Sequence, residues 1–479
     1  MFLELDGQGA AYEQIIRAIR QAITDGRFPQ GMRLPPSRDL AQQLHVSRNT
    51  VTAAYERLLA DGWLTARVGS GTFISAPVLP QARPQSAKPS PVRLSRFAER
   101  LLQEVVIEDL PGRVIPAVRH MFQYKAPYAD PTLLSAWSRS LRKAANYTAL
   151  RYARCQGIEP LRVQISEFLG RRRGVVAPPE DIIVVNGSQQ AFSLCARILF
   201  DPGDRVMIEE PSFYPMRVSF QSYGAELLPS PVDGNGITLG GLSKKPKLIA
   251  LTPAHQFPLG HRLSFERRKE LLEYAHANDA WIIEDDYDGE YRYDAKYAPT
   301  LRSRDSQGRV IYVGSFSKTF FPAVRLGYVV VPPPLRDAFI ASKFLEDMGA
   351  PVVVQAAMAF LLEDGSFDRH LVKSVKQLRV RRDALTAGLL KINPEFRISG
   401  AHAGMHLVVC LPGWTAGFVE ELKRVALQKG LAIYSTVPYY LGAASQPGLL
   451  LGYASSSTSE IGWGLRVLRD VIAEVDEGQ

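Results

Sequence analysis

Gly314-Ser315-Phe316-Ser317-Lys318, with Arg325 seven positions past the lysine, is the stretch on which the reading of this chain turns. Only a primary amine holds an aldehyde as an exchangeable imine, so a lysine preceded by two serines suits a Schiff base to an aldehyde cofactor. The serine hydroxyls and the arginine suit a phosphate on the same molecule. Many strand-to-helix turns contain Gly, Ser and Lys, so the run takes its meaning from the segments around it.

Upstream lie short β-rich segments: 175–185, 205–209, 247–251, 280–283 and 310–313. Helical stretches such as 265–278 separate them. That alternation predicts a mostly parallel sheet covered on both faces. Ligands of such sheets bind outside the carboxyl ends of the strands. Asn186-Gly187-Ser188-Gln189-Gln190, Glu210-Pro211-Ser212-Phe213-Tyr214, Glu284-Asp285-Asp286-Tyr287 and the lysine run all fall at such ends. A large α/β domain over 111–344 and a smaller C-terminal lobe over 345–479, with strands at 406–411 and 449–453, are expected.

The first 75 residues read differently. Ile15, Ile16, Ile19 and Ile23 share a helical face. Ser37 is placed as the cap of a short second helix and Ser47 as the cap of a third carrying Val51, Ala54, Tyr55, Leu58 and Leu59. Two short strands, 63–67 and 71–74, follow around Val68-Gly69-Ser70. Three helices and a hairpin make a winged helix-turn-helix. Residues 76–110 are assigned to a linker, because prolines at 77, 80, 84, 89 and 91 among Gln, Ala and Ser keep a chain extended.

Composition excludes several classes. The 479 residues are too many for one small core. No apolar run approaches the roughly 18 residues of a membrane span, and the acidic start lacks the basic, apolar pattern of a signal peptide. Cys155, Cys195 and Cys410 have no metal-ligand spacing, so reduced thiols in the cytoplasm, and no metal, are expected. The net charge of +9 permits an acidic partner without naming one.

Tyr12-Glu13-Gln14-Ile15, Arg33-Leu34-Pro35-Pro36-Ser37-Arg38, Val46-Ser47-Arg48-Asn49-Thr50-Val51 and Gly69-Ser70-Gly71-Thr72-Phe73 together resemble the winged-helix domain of GntR-type regulators. The resemblance implies that Ser47, Arg48, Asn49 and Thr50 open the helix that enters the major groove of double-stranded DNA. Arg48 can read guanine and Asn49 adenine. Ser37 and Thr50 suit phosphate oxygens, Arg38 either role, and Gly69 and Gly71 let the wing approach the backbone. Residues 1–75 hold eight arginines, no lysine and seven acids. Binding should therefore rest on a few placed arginines and on pairing two heads.

From about residue 111 the chain resembles the fold-type I aminotransferases, which carry pyridoxal 5′-phosphate (PLP). With its head, the whole chain is similar to the MocR subfamily of GntR-type regulators. The resemblance implies Lys318 as the Schiff-base lysine, Asp285 facing the pyridine nitrogen and Tyr287 bonding the ring hydroxyl. It places Gly187, Ser188, Gln189, Ser315, Ser317 and Arg325 around the phosphate, and Phe213 on the ring face. Tyr152 matches a tyrosine that reaches the neighbouring subunit's phosphate, which implies a homodimer and an operator of two half-sites. His255 either borders the ring or serves as a core or capping residue.

Departures fall where the enzymes hold a substrate carboxylate. Leu450, in Leu449-Leu450-Leu451-Gly452-Tyr453-Ala454, stands where they have arginine, and Lys125 replaces a pocket glycine. Lys125 or Arg217 is the candidate anion partner in an effector pocket. The expected function is a PLP-dependent transcriptional regulator that senses PLP itself or an amine or amino-acid effector. The alternative is an active aminotransferase with an accessory DNA-binding head.

Overall fold

The computed structural model describes residues 3–67, 69–75, 93–105, 118–128, 130–147, 152–240, 245–294 and 299–477, and they group into two compact units, 1–93 and 94–479. The first unit opens with α1 (Ala11–Thr24), whose Ile15, Ile16, Ile19 and Ile23 are buried. α2 (Ser37–Gln43) and α3 (Arg48–Ala60) follow. Ser47 caps α3 through the amide of Thr50 at 3.1 Å. Ser37 is the first helical residue of α2 and makes no capping bond, because Pro36 takes the cap position. β1 (Leu64–Arg67) and β2 (Gly71–Ile74) pair antiparallel, with Leu64 opposite Ile74 and both buried. The chain before α2 adjoins this hairpin, through the amide of Leu34 on the carbonyl of Thr72 and an isolated bridge between Arg33 and Phe73.

The body is built on an eight-stranded sheet. Strands 226–233, 205–210, 248–251, 281–286 and 310–315 run parallel, and Gly327–Val330 inserts antiparallel between 310–315 and Ile182–Val185. Ile182–Val185, Leu248–Leu251 and Gly327–Val330 are buried along their whole length, the signature of a sheet covered on both faces. The strand expected from 175 begins only at Ile182; a short helical turn, Pro179–Asp181, precedes it. A four-stranded sheet containing His406–Cys410 and Leu449–Gly452 forms the core of the smaller lobe, beside the helices 366–392 and 458–477.

The assignment of 76–110 to linker needs correction at 96–104, while 106–110 lies outside the described residues. α4 (Arg96–Glu104), capped by Ser95, lies on the helix Tyr214–Ser222. Arg100 Nε donates to the carbonyl of Ser222 at 2.9 Å, and Phe97 meets Tyr223 edge-on with centroids 5.0 Å apart. Apolar residues at 97 and 101 give this segment a helical stripe that the proline-rich neighbourhood obscured. The stretch 76–92 lies outside the described residues. No helix among the described residues is long and apolar enough to cross a membrane.

Candidate cofactor site and DNA-reading face

Every cofactor residue expected within one chain lies at the carboxyl edge of the large sheet. Gly187 takes φ +90 as the cap residue of the twelve-residue helix Ser188–Leu199. A Cβ on Gly187 would stand 3.0 Å from Arg325 Nη2, so only glycine lets that guanidinium lie across the turn. Arg325, itself at φ +48, donates to the carbonyl of Asn186 at 2.8 Å. Ser315 and Ser317 stand on the facing turn, where the Ser317 amide donates to Ser315 Oγ at 3.2 Å. Gln189 spends its side-chain amide on the carbonyl of Pro215 at 3.2 Å, which leaves its backbone for the cup. The result is a cup of helix amides and one guanidinium, suited to a dianion. Lys343, fully buried, ties the wall behind it through Asp347, which also receives Asn186 Nδ2 at 2.7 Å.

Lys318 follows the strand Val310–Ser315 and donates to the carbonyl of Lys125 at 3.3 Å. Enclosure lowers its ammonium to about 8; Asp288 pulls it back up and the charge of Lys125 pushes it further down. A neutral, nucleophilic amine is therefore accessible near physiological pH. Asp285 is the penultimate residue of the strand Trp281–Asp286, buried, with Oδ1 lacking a partner among the described residues. Burial first, then the neighbouring Asp286, Asp288 and Glu209, hold its carboxyl well above the usual range. An orphaned buried carboxyl oxygen calls for a cationic N–H donor. PLP fits these residues: Asp285 would hold the pyridinium, Arg325 and the Gly187 turn the phosphate, Lys318 the aldehyde carbon.

Tyr287 donates to the backbone carbonyl of His255 at 2.9 Å, and its hydroxyl lies 3.1 Å from His255 Nδ1. Phe213 meets Phe257 edge-on at 5.5 Å. His255 is buried, 1% exposed. Nδ1 meets Asp288 Oδ2 at 3.0 Å and Nε2 meets the Gly400 carbonyl at 3.2 Å. His255, Asp288 and His406 bring ligand-type atoms within 4.8 Å of one another, but both His255 nitrogens are already engaged by acceptors.

The proposed effector side is aromatic. Leu450 is fully buried with Tyr124, Phe257 and Val408, and Phe213, Tyr287, Tyr434 and Tyr439 border them. The hydroxyls of Tyr124 and Tyr439 meet at 2.7 Å. Arg217 gives one N–H to the carbonyl of Tyr439 at 3.1 Å and keeps a buried Nε without a partner among the described residues. Lys125 lies over the Tyr124 ring at 5.2 Å. Tyr152 is 89% exposed and takes no part in its own chain's cup.

Sequence reasoning missed the buried polar layer beneath the ring position. Glu209 accepts from the amide and hydroxyl of Thr252 at 3.0 and 2.7 Å, and burial raises its carboxyl to about 7. Asp286 is bound by Arg173 Nε at 2.6 Å and by the Tyr312 hydroxyl at 2.5 Å. The pairing of Arg173 with Asp286 joins residues 113 apart, beyond what local pattern reveals. The charged run Glu284-Asp285-Asp286 inside an apolar strand was the available signal.

In the first unit, Arg48 and Asn49 are exposed at the start of α3, and Arg38 is exposed in the first turn of α2. Ser47 Oγ is occupied by the Thr50 amide and hydroxyl. Gly69 and Gly71 take φ +75 and +109 in the wing.

Fold and site together define a DNA-binding winged helix fused to a transferase body of the PLP type. Residues 11–74 match the bacterial regulatory proteins of the gntR family, and residues 123–457 match aminotransferase class I and II. The chain belongs to the MocR-type regulators of the GntR family, which join these two domains. It is 34% identical to the probable rhizopine catabolism regulatory protein MocR of Rhizobium meliloti, over 99% of this chain and 96% of that one. It is also 34% identical to the transcriptional regulator TauR of Rhodobacter capsulatus, over 86% of each. The body resembles LysN, the α-aminoadipate aminotransferase of Thermus thermophilus, with a TM-score of 0.72 and 25% identity over 81% of this chain and 98% of that one.

Proposed function

We propose that this chain is a PLP-dependent transcriptional regulator whose transferase-like body senses PLP or a small amine and sets how two heads grip an operator. The observation that carries the regulator over the enzyme is Leu450. A fully buried leucine packed on three apolar side chains stands where the resemblance puts the enzymes' carboxylate-binding arginine. When bound, PLP supplies an aldehyde that a primary amine can occupy and a ring that withdraws electrons. Lys318 holds that aldehyde, Asp285 fixes the ring nitrogen's proton, and Tyr287, tethered to His255, orients the ring hydroxyl. The Gly187 turn and Arg325 anchor the phosphate. The buried Nε of Arg217, without a partner among the described residues, is a cationic donor open to an effector anion.

A homodimer with shared sites is part of the same reading. Tyr152 is exposed, and so are Phe344, Leu345 and Met348 on the segment that flanks the phosphate cup through Asp347. Exposed apolar groups gathered beside an incomplete cup support burial against a second copy. The test is the visible absorbance of the purified chain titrated with candidate primary amines. A shift with one amine, without release of a keto product, supports the sensor; steady turnover between amino and keto acids supports the aminotransferase.

A further inference from the structure

The eight arginines of residues 1–75 divide into two sets. Arg17 pairs with Asp6 at 2.7 Å, Arg27 with Asp25 at 3.3 Å, and Arg57 and Arg20 both with Asp61, the former at 3.2 Å. Arg33, Arg38, Arg48 and Arg67 are exposed and have no carboxylate at ion-pair distance among the described residues. Two of these four begin the helices of the reading motif. Arg67 belongs to the wing, and Arg33 to the segment before α2 that bridges to it.

Register puts Arg33 and Arg67 on one face of the small sheet. Arg67 lies opposite Gly71, Thr65 opposite Phe73, and Arg33 bridges to Phe73. Residues opposite one another project to the same side. Leu64 and Ile74 occupy the other side and enter the core. The Arg67 guanidinium lies over the Phe73 ring, 5.0 Å from its centroid. The Arg33 guanidinium lies so close to the wing that a Cβ on Gly71 would stand 2.9 Å from its Nε. Arg33 also lines a groove of about 260 Å³ between wing and α3, with Ser37, Thr52, Glu56 and Gly71 among its walls. Glu56 is the acid in that groove, and it does not pair with Arg33.

We propose that Arg33 and Arg67 are the residues with which the wing grips the phosphate backbone of bound DNA, Arg33 also fixing the pose of the wing across Gly71. The Arg67 guanidinium lies over a ring and the Arg33 guanidinium beside a glycine, and both residues are exposed. Residues 1–75, with almost no net charge, thus keep their uncompensated cations on the small sheet and in the first turns of α2 and α3. Arg38 and Arg48 stand where base edges are read; Arg33 and Arg67 stand where position is set. The inference rests on the reading of this chain as a DNA-binding regulator.

The experiment measures affinity of the full-length chain against salt for two duplexes, one selected from a random pool by the wild-type protein and one of unselected sequence. Arg33→Ala and Arg67→Ala should each weaken both duplexes by a similar factor and lower the salt slope by about 1 per head, the loss of one phosphate contact. Arg33→Lys and Arg67→Lys should retain the slope, which separates lost charge from lost fold. Arg17→Ala, a paired arginine, should leave the slope unchanged. An unchanged slope in the alanine variants, or a loss confined to the selected duplex, overturns the assignment. A wild-type chain that binds neither duplex overturns the DNA-binding reading as well.

Discussion

In the proposed reading Lys318 carries the heaviest chemical duty of any single residue, and its environment sets when it can act. Because enclosure brings its ammonium to about 8, the reactive neutral amine grows as pH rises toward that value and saturates above it. The rate of covalent PLP uptake by the apo chain should therefore climb between pH 6 and 8 and flatten above, read by stopped-flow absorbance. A pH-independent rate would contradict the assignment. Lys318→Ala should keep its fold by circular dichroism but retain no cofactor after borohydride treatment. Arg48→Ala should weaken selected DNA by about 1 to 3 kcal/mol, the usual cost of a lost bidentate base contact, with PLP absorbance unchanged. Arg173 makes a different kind of prediction. It and Asp286 are both almost fully buried, so Arg173→Met leaves a carboxylate without its cation and should cost about 3 to 5 kcal/mol of stability, read by denaturant unfolding of the body. Arg325 and Gly187 could be named from the sequence through the family resemblance, and the structure brings the two together. Glu209, Asp288 and Arg173 could not, because their partners come from distant strands and helices.

At the scale of elements, period and caps decided most of what could be read. α1 declared itself through four isoleucines on one face, and α3 through its serine cap. Four of the five strands that run parallel were legible as short apolar runs ending in polar turns; Glu226–Asp233, with prolines at 229 and 231, was not. α4 was not, because its nine residues have no buried side chain and follow a proline-rich stretch; its helix is supported by docking. Tyr214 donates to the carbonyl of Glu104, and Gln221 to its carboxylate at 3.2 Å. The helix it rests on begins just after Phe213, the residue placed against the cofactor ring. A helix with few buried contacts opens at low free energy. Amides of α4 should thus exchange faster than those of Ile182–Val185, and PLP loading should slow exchange in α4. Equal exchange with and without PLP would show that α4 does not respond to the site.

For the whole molecule, the account joins an incomplete cofactor cup to a pair of heads. Sedimentation of the PLP-loaded chain at micromolar concentration should give a dimer, and Tyr152→Ala should weaken PLP retention while leaving that dimer intact. A monomer would remove the shared-site role of Tyr152. The central claim is that the body's chemical state sets the grip on DNA, and by linkage such a coupling is reciprocal, typically about 5- to 150-fold in affinity. The most direct measurement is the affinity of the same preparation for its selected duplex, apo and then PLP-loaded, alongside Lys318→Ala. The account predicts that loading changes the wild-type affinity and that Lys318→Ala shows no such change. Identical affinities for the apo and loaded wild-type chain, together with sustained amino-acid turnover, would contradict it.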